Sequence, residues 1–202
     1  MSRNLPARTV AGAALAWLAC LLVLTGCSSL QGTGDKGFVT GDGSVRLVDP
    51  AQRQEPVSLS GEDLEGKPLD LASYRGKPVV VVVWGSWCTP CRAEAPEVVA
   101  AAKQVGGQAQ FVGINLRNAS TADALAYQRS FDVPYPSLYS PDGKALLRFP
   151  GTLGPNTIPA FVVLDAEGRV AASILGELPS KQTLVDLVDD VAGGTAGRTA
   201  DG

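Results

Sequence analysis

The chain has 202 residues, of which 45% are hydrophobic and 18% charged, and carries a net charge of −3. That length suits one domain with appendages, and the mild acidity argues against a nucleic-acid binder, which would show a basic face. With no histidine anywhere, Ser–His and Cys–His catalytic pairs and imidazole metal ligands are excluded.

Arg3 and Arg8 precede a long apolar run, and no charged residue stands between Arg8 and Asp35. A positive start followed by an apolar stretch and small residues reads as a secretory signal. An uncleaved membrane anchor is the competing reading, since the stretch is long enough to span. The run ends in Leu24-Thr25-Gly26-Cys27, which resembles the bacterial lipoprotein box. That resemblance implies a signal peptide over residues 1–26 and a lipid on Cys27. Cys20 would leave with the signal, and Cys88 and Cys91 would remain as the thiols. A lipid anchor holds a protein on a membrane face without spanning it. The domain is then expected outside the cytoplasm, on the periplasmic or outer face, where disulfides persist.

Residues 27–44 are rich in Gly, Ser and Thr and read as a flexible tether. The domain is expected over residues 45–192, with a disordered tail at 193–202. Val57–Ser60 and Lys67–Asp70 read as two short strands of a hairpin around Gly61–Gly66. Ala72–Tyr74 has room for one turn. Val79–Trp84 is a continuous β-branched run, as expected of a central strand covered on both faces. A helix from about Cys88 to Val105 follows, ending before Gly106-Gly107, and Pro96 is expected to kink it. Gln110–Asn115 reads as a strand, Thr121–Phe131 as a helix and Ala145–Phe149 as a short helix. Ala160–Asp165 and Val170–Leu175 read as a hairpin, and Lys181–Val191 as an amphipathic final helix. The β-α-β part implies a parallel pair with a right-handed crossover, the hairpin an antiparallel edge, and the helices a cover on both faces.

The chemistry concentrates in Trp87-Cys88-Thr89-Pro90-Cys91, where the valine strand turns into a helix. Residues three apart on a helix share a face, and their Cα atoms come near the window of about 4.4–6.8 Å that a disulfide needs. Pro90 is tolerated because first-turn amides lack intrahelical partners. The unpaired amides and the positive end of the helix dipole favour a thiolate. Cys88, nearest the exposed helix end, is the expected nucleophile, and Cys91, deeper, the resolving thiol. A static disulfide is disfavoured because so short a loop contributes little closure entropy. Zinc is disfavoured because it wants four ligands and only two thiolates are available.

From these residues the sequence resembles the thioredoxin superfamily, and more closely its membrane-tethered TlpA/ResA/CcmG-like thiol-disulfide oxidoreductases. The resemblance runs from about Val57 to Val191. It is carried by WGSWCTPCRAEAP, by Asn156 to Asp165, and by Gly168 and Gly176. It implies an α/β, thioredoxin-like fold: a central mixed sheet flanked by helices, with an extra N-terminal β-hairpin. The long stretch between Gln110 and Pro159 matches the family's central insert of a helix and a strand. Pro159 corresponds to the family's cis proline, which leaves the backbone of Ile158 free to pair with an extended substrate. Trp84 and Trp87 match the active-site tryptophans. Thioredoxins proper carry a buried acid six residues before the first cysteine, where this chain has Val82. The TlpA/ResA-like members have a glutamate three residues after the second, where this chain has Glu94. By resemblance Glu94 moves protons to and from Cys91. Thr89 and Pro90 tune the potential without marking one subfamily.

The resemblance implies a disulfide reductase for secreted client proteins, with a role in cytochrome c maturation as one instance. The implied partners are client thiols and disulfides and a membrane thiol electron carrier. No flavin or nicotinamide motif is present, so no cofactor is expected, and no metal. A thiol oxidase would use the same residues. A peroxidase or a metal-binding lipoprotein fits less well, given the paired cysteines and the missing histidine.

Overall fold

The computed structural model describes residues 44–193. The expected signal at 1–26, Cys20, the lipid-bearing Cys27, the tether as far as residue 43 and the tail from 194 lie outside them. Strands are β1 (Val45–Leu47), β2 (Ser60–Glu62), β3 (Pro68–Asp70), β4 (Val79–Trp84), β5 (Gln110–Leu116), β6 (Ser137–Ser140), β7 (Ala160–Leu164) and β8 (Val170–Leu175). Helices are α1 (Thr89–Val105), α2 (Thr121–Ser130) and α3 (Lys181–Ala192). Six strands form one sheet in the order β1-β8-β7-β4-β5-β6. β4 runs parallel to β5, and β5 to β6, while the other neighbours are antiparallel.

β4 lies inside the sheet because its residues are apolar on both faces. Val80, Val82 and Trp84 enter one core and Val79, Val81 and Val83 the other, the period-two alternation of a strand. The two faces are covered differently. All three helices pack on the first core through residues such as Val98, Ala124 and Leu184. The second core is closed by 3-10 turns at Leu71–Tyr74 and Lys144–Arg148 and by Val57 and Leu59. The segment expected as a short helix at Ala145–Phe149 is the second of these turns.

The N-terminal hairpin is present, with its first strand shifted. Ser60 pairs with Asp70, Gly61 with Leu69 and Glu62 with Pro68, so Gly61 is in the strand and not in the turn. Val57 and Leu59 alternate because they are buried in the second core, not because they pair in the hairpin. The hairpin joins the main sheet through an Asp63–Leu138 bridge, with the Leu64 N–H donating to the Ser137 carbonyl at 3.0 Å. It thereby shields the β6 edge.

β1 and β6 carry no clear period of their own. β1 is a strand because it pairs with the open edge of β8, and β6 because it continues the parallel ladder from β5. The close passage of β6 depends on Gly113. A Cβ there would sit 2.0 Å from Ser137 Oγ and 2.6 Å from Trp84 Nε1. α1 runs unbroken through Pro96 and stops at Gly106, whose φ of 56° lies in the left-handed half of the map.

At the sheet end remote from Cys88, Asp165 is buried between two arginines. Its Oδ2 meets Arg53 Nη1 at 3.1 Å and Arg169 Nε at 2.8 Å. Its Oδ1 accepts from the Glu167 and Arg169 amides. This cluster pins the segment before the hairpin to the β7–β8 turn.

Candidate active site

β4 ends at Trp84, and the chain turns through Gly85–Trp87 to place Cys88 at the N-cap of α1. The Cys88 N–H donates to the Gly85 carbonyl at 3.1 Å, closing the turn. Cys88 Sγ accepts from the Cys91 N–H at 3.3 Å, as a capping side chain does at a helix start. Pro90 occupies the first turn, where its missing N–H costs nothing. Thr89 is exposed and Pro90 half-buried.

Cys88 and Cys91 are joined as a disulfide with their Cα atoms 5.3 Å apart. Their exposures are 4% and 2%. In this bonded form the expected contrast in exposure is therefore absent, and Cys88 is distinguished by its place at the cap. Arg92, next in sequence, donates from Nη1 to the Ser86 carbonyl at 3.5 Å. The Arg92 guanidinium lies 5.5 Å from the Phe131 ring centre and 5.9 Å from that of Tyr127.

The tryptophans divide in role. Trp84 is core: it stacks on Tyr127 at 4.3 Å and donates Nε1–H to Ser137 Oγ at 3.1 Å. Trp87 stays 48% exposed beside the disulfide while its Nε1–H donates to the Leu116 carbonyl at 3.0 Å. Gly85 makes that reach possible, since a Cβ there would stand 2.7 Å from Trp87 Nε1.

Glu94 is half-buried one turn after Cys91, in a slot of ≈ 10 Å³ that it lines with Val82, Trp84, Cys91, Tyr127 and Tyr135. That is close to the room one water needs. Burial pushes its carboxyl up to about 7. The Leu178 N–H, donating to Oε2 at 2.9 Å, opposes the rise, and the charges of Glu177 and Glu97 add to it. With Val82 on the strand side, the acid in this slot comes from the helix. Tyr127 closes the slot by donating its hydroxyl to the Cys91 carbonyl at 2.8 Å, and burial raises its phenol above the usual range.

The Ile158–Pro159 peptide bond is cis. Val83 pairs with Ala160, so Pro159 stands at the same end of the sheet as Cys88. The Pro159 carbonyl accepts from the Gly176 N–H at 3.0 Å. Ile158 is half-buried and packs on both cores. Among the described residues, no group of three or more Cys, Asp or Glu converges as a metal-ligand set.

A polar clamp beneath the Gly85–Trp87 turn is absent from the sequence reading. Asn118 Oδ1 accepts from the Ser86 N–H at 3.0 Å, and Asn118 Nδ2 donates to Ser86 Oγ at 2.6 Å. Asn115 Nδ2 donates to Asn118 Oδ1 at 3.1 Å, and Tyr139 donates its hydroxyl to the Asn118 carbonyl at 3.0 Å. The contacts of Asn118 with Ser86 span 32 positions and that with Tyr139 spans 21, so no local pattern announces them.

The disulfide at the helix cap thus has a half-buried acid one turn behind its second cysteine and a cis proline at the same end of the sheet. The sequence profile of the Redoxin family matches residues 49–190. The chain belongs to the Redoxin family. It is a thiol-disulfide oxidoreductase of thioredoxin-like fold, similar to ResA and HelX. The thiol-disulfide oxidoreductase ResA of Bacillus thuringiensis subsp. konkukian is 26% identical over 167 residues, 80% of this chain and 88% of that protein. The thiol:disulfide interchange protein HelX of Rhodobacter capsulatus is 30% identical over 148 residues, covering 73% and 76%. Among solved structures, a DsbF homologue from Corynebacterium diphtheriae superposes with a TM-score of 0.69 at 30% identity, covering 77% of this chain and 98% of that one. A secreted thiol-disulfide isomerase from Corynebacterium glutamicum gives 0.70 at 26% identity, covering 78% and 97%.

Thiol–disulfide exchange breaks and makes S–S bonds through a mixed disulfide, with two electrons passing for each disulfide reduced.

Proposed function

We propose that this oxidoreductase works outside the cytoplasm as a reductase of disulfides in secreted proteins, with Cys88 as nucleophile and Cys91 as resolving thiol. Glu94 takes the proton from Cys91 as that thiol attacks, a transfer suited to a carboxyl whose own proton leaves near neutral pH. Pro159 and the backbone of Ile158 receive an extended client chain. Trp87, Thr89 and Pro90 form the rim that the client meets.

The observation that carries the direction is the setting of Cys88 Sγ. It has one amide donor at 3.3 Å, and the neighbouring cation, Arg92, is engaged by the Ser86 carbonyl and the rings of Tyr127 and Phe131. A strong oxidant owes its potential to a stabilised reduced form. With modest support for the thiolate and an acid behind Cys91, the disulfide is the favoured state, as a reductase requires. The extracytoplasmic placing is supported by the secreted isomerase among the similar structures and by the signal-like N-terminus. A lipid on Cys27 would hold the domain at the membrane. Electrons would then arrive from a membrane thiol carrier. An apocytochrome c carrying an oxidised CxxCH segment is one fitting client.

Equilibrating the purified protein against dithiothreitol or glutathione tests the direction. A potential at or below about −270 mV is expected. A value near about −120 mV would assign the oxidase role instead.

A further inference from the structure

Two stretches stand at the sheet end that carries Cys88: the Gly85–Trp87 turn and the segment leading to Pro159. One dipeptide, Arg117-Asn118, holds both. Asn118 grips Ser86 at two points, backbone and side chain. Arg117 reaches the other way. Its Nη2 donates to the Pro155 carbonyl and, at 3.1 Å, to Asn156 Oδ1. The segment it holds is a turn closed on itself, with the Thr157 N–H on the Gly154 carbonyl at 3.1 Å and the Gly154 N–H on Thr157 Oγ1 at 2.9 Å.

Arg117 has φ of 54°, a left-handed conformation uncommon for a residue with a side chain. Such a residue persists where its surroundings over-determine it. Here the Asn118 clamp follows it directly and the last residue of β5 precedes it. That backbone aims the guanidinium at residues 155–156 instead of along the strand.

We propose that Arg117 is a positioning residue for client recognition. It braces the 154–157 turn against β5 and so fixes the Ile158 backbone relative to Cys88. This rests on the reading that Ile158 pairs with an extended client. A small disulfide that makes no backbone pairing has no need of the brace, whereas an extended client does. Arg117 therefore sets preference between substrates and not the chemistry at sulfur.

The test compares two substrates with the full-length protein under turnover with dithiothreitol: a disulfide-bonded peptide of extended sequence, and hydroxyethyl disulfide. Arg117→Gly and Arg117→Asn remove the guanidinium, and both residues tolerate the left-handed backbone. The expected result is a roughly tenfold rise in KM for the peptide with kcat retained, because binding must then order a segment that the charge-assisted hydrogen bonds of Arg117 otherwise hold in advance. The hydroxyethyl disulfide rate and the Tm stay within error, and Arg117→Lys recovers part of the peptide KM. An unchanged peptide KM in both variants overturns the proposal. So does a parallel fall with both substrates, which would mark a general structural role. If the unaltered protein shows no preference for the peptide, the pairing of Ile158 with clients falls first, and this inference with it.

Discussion

The Leu178 N–H donates to Glu94 Oε2 at 2.9 Å, and two residues earlier the Gly176 N–H donates to the Pro159 carbonyl at 3.0 Å. The loop between β8 and α3 thus joins the acid behind Cys91 to the cis-proline segment. Glu97 adds a second tie by accepting from the Lys181 N–H at 3.0 Å. The site is assembled from the ends of β4, β7 and β8, and its parts are held in register by backbone amides.

Glu94 should leave a mark on pH profiles. Burial raises its carboxyl to about 7. Between the ordinary carboxylate range and about 7, the folded protein keeps a proton that the unfolded chain has released. Stability therefore falls as pH rises through that window and levels off above it. The carboxyl is partly exposed, so the slope is shallower than the shift alone would give. Glu94→Gln is expected to flatten the dependence in urea titrations at several pH values. The same variant should lose the inflection near neutral pH in client reduction and slow resolution by roughly 10²-fold.

The two cysteines should separate cleanly. Cys91→Ser leaves a nucleophile that cannot be resolved, so mixed disulfides with an oxidised client accumulate and are seen as a shifted band on non-reducing gels. Cys88→Ser gives neither turnover nor adducts. Equal trapping by the two variants would contradict the assignment of nucleophile and resolving thiol.

Gly113→Ala should cost stability although it adds one methyl group. Its Cβ would fall 2.9 Å from Ser137 Cβ and 2.6 Å from Trp84 Nε1, between two strands that cannot separate without breaking the ladder. A loss of about 1–3 kcal/mol is expected in denaturant unfolding, the usual cost of overpacking. The variant Gly113→Ala/Ser137→Gly should recover part of it.

Arg53→Ala removes one partner of a buried ion pair whose two side chains are each 4% exposed. A loss of about 1–3 kcal/mol is expected, less than for a bare buried charge because Arg169 still pairs with Asp165 at 2.8 Å. The cluster lies at the far end of the sheet, so exchange rates in the remaining folded protein should stay unchanged. A slower exchange rate at equal folded fraction would show that the two ends are coupled.

Sequence alone was informative wherever one residue type in a short window fixes the local physics. Five valines could only be a strand buried on both faces. Cys-Thr-Pro-Cys at the start of a helix could close into a disulfide with little movement of the backbone. Glu94 and Pro159 were visible through the family resemblance, which matches their positions to the family's glutamate and cis proline. Tertiary structure decided what depends on partners far along the chain. β1 and β6 are strands because neighbouring strands offered them open edges. Val57 and Leu59 alternate to fill a core, which moved the hairpin register past them. The proton affinity of Glu94 follows from its burial beside the Trp84–Tyr127 stack and from the Leu178 amide, 84 positions away in sequence. Asn118 and Arg117 gain their contacts across 32 and 39 positions. Hydrogen bonds of that reach leave no period or motif in the sequence, because the residues that form them meet only when the sheet brings two loops to one end.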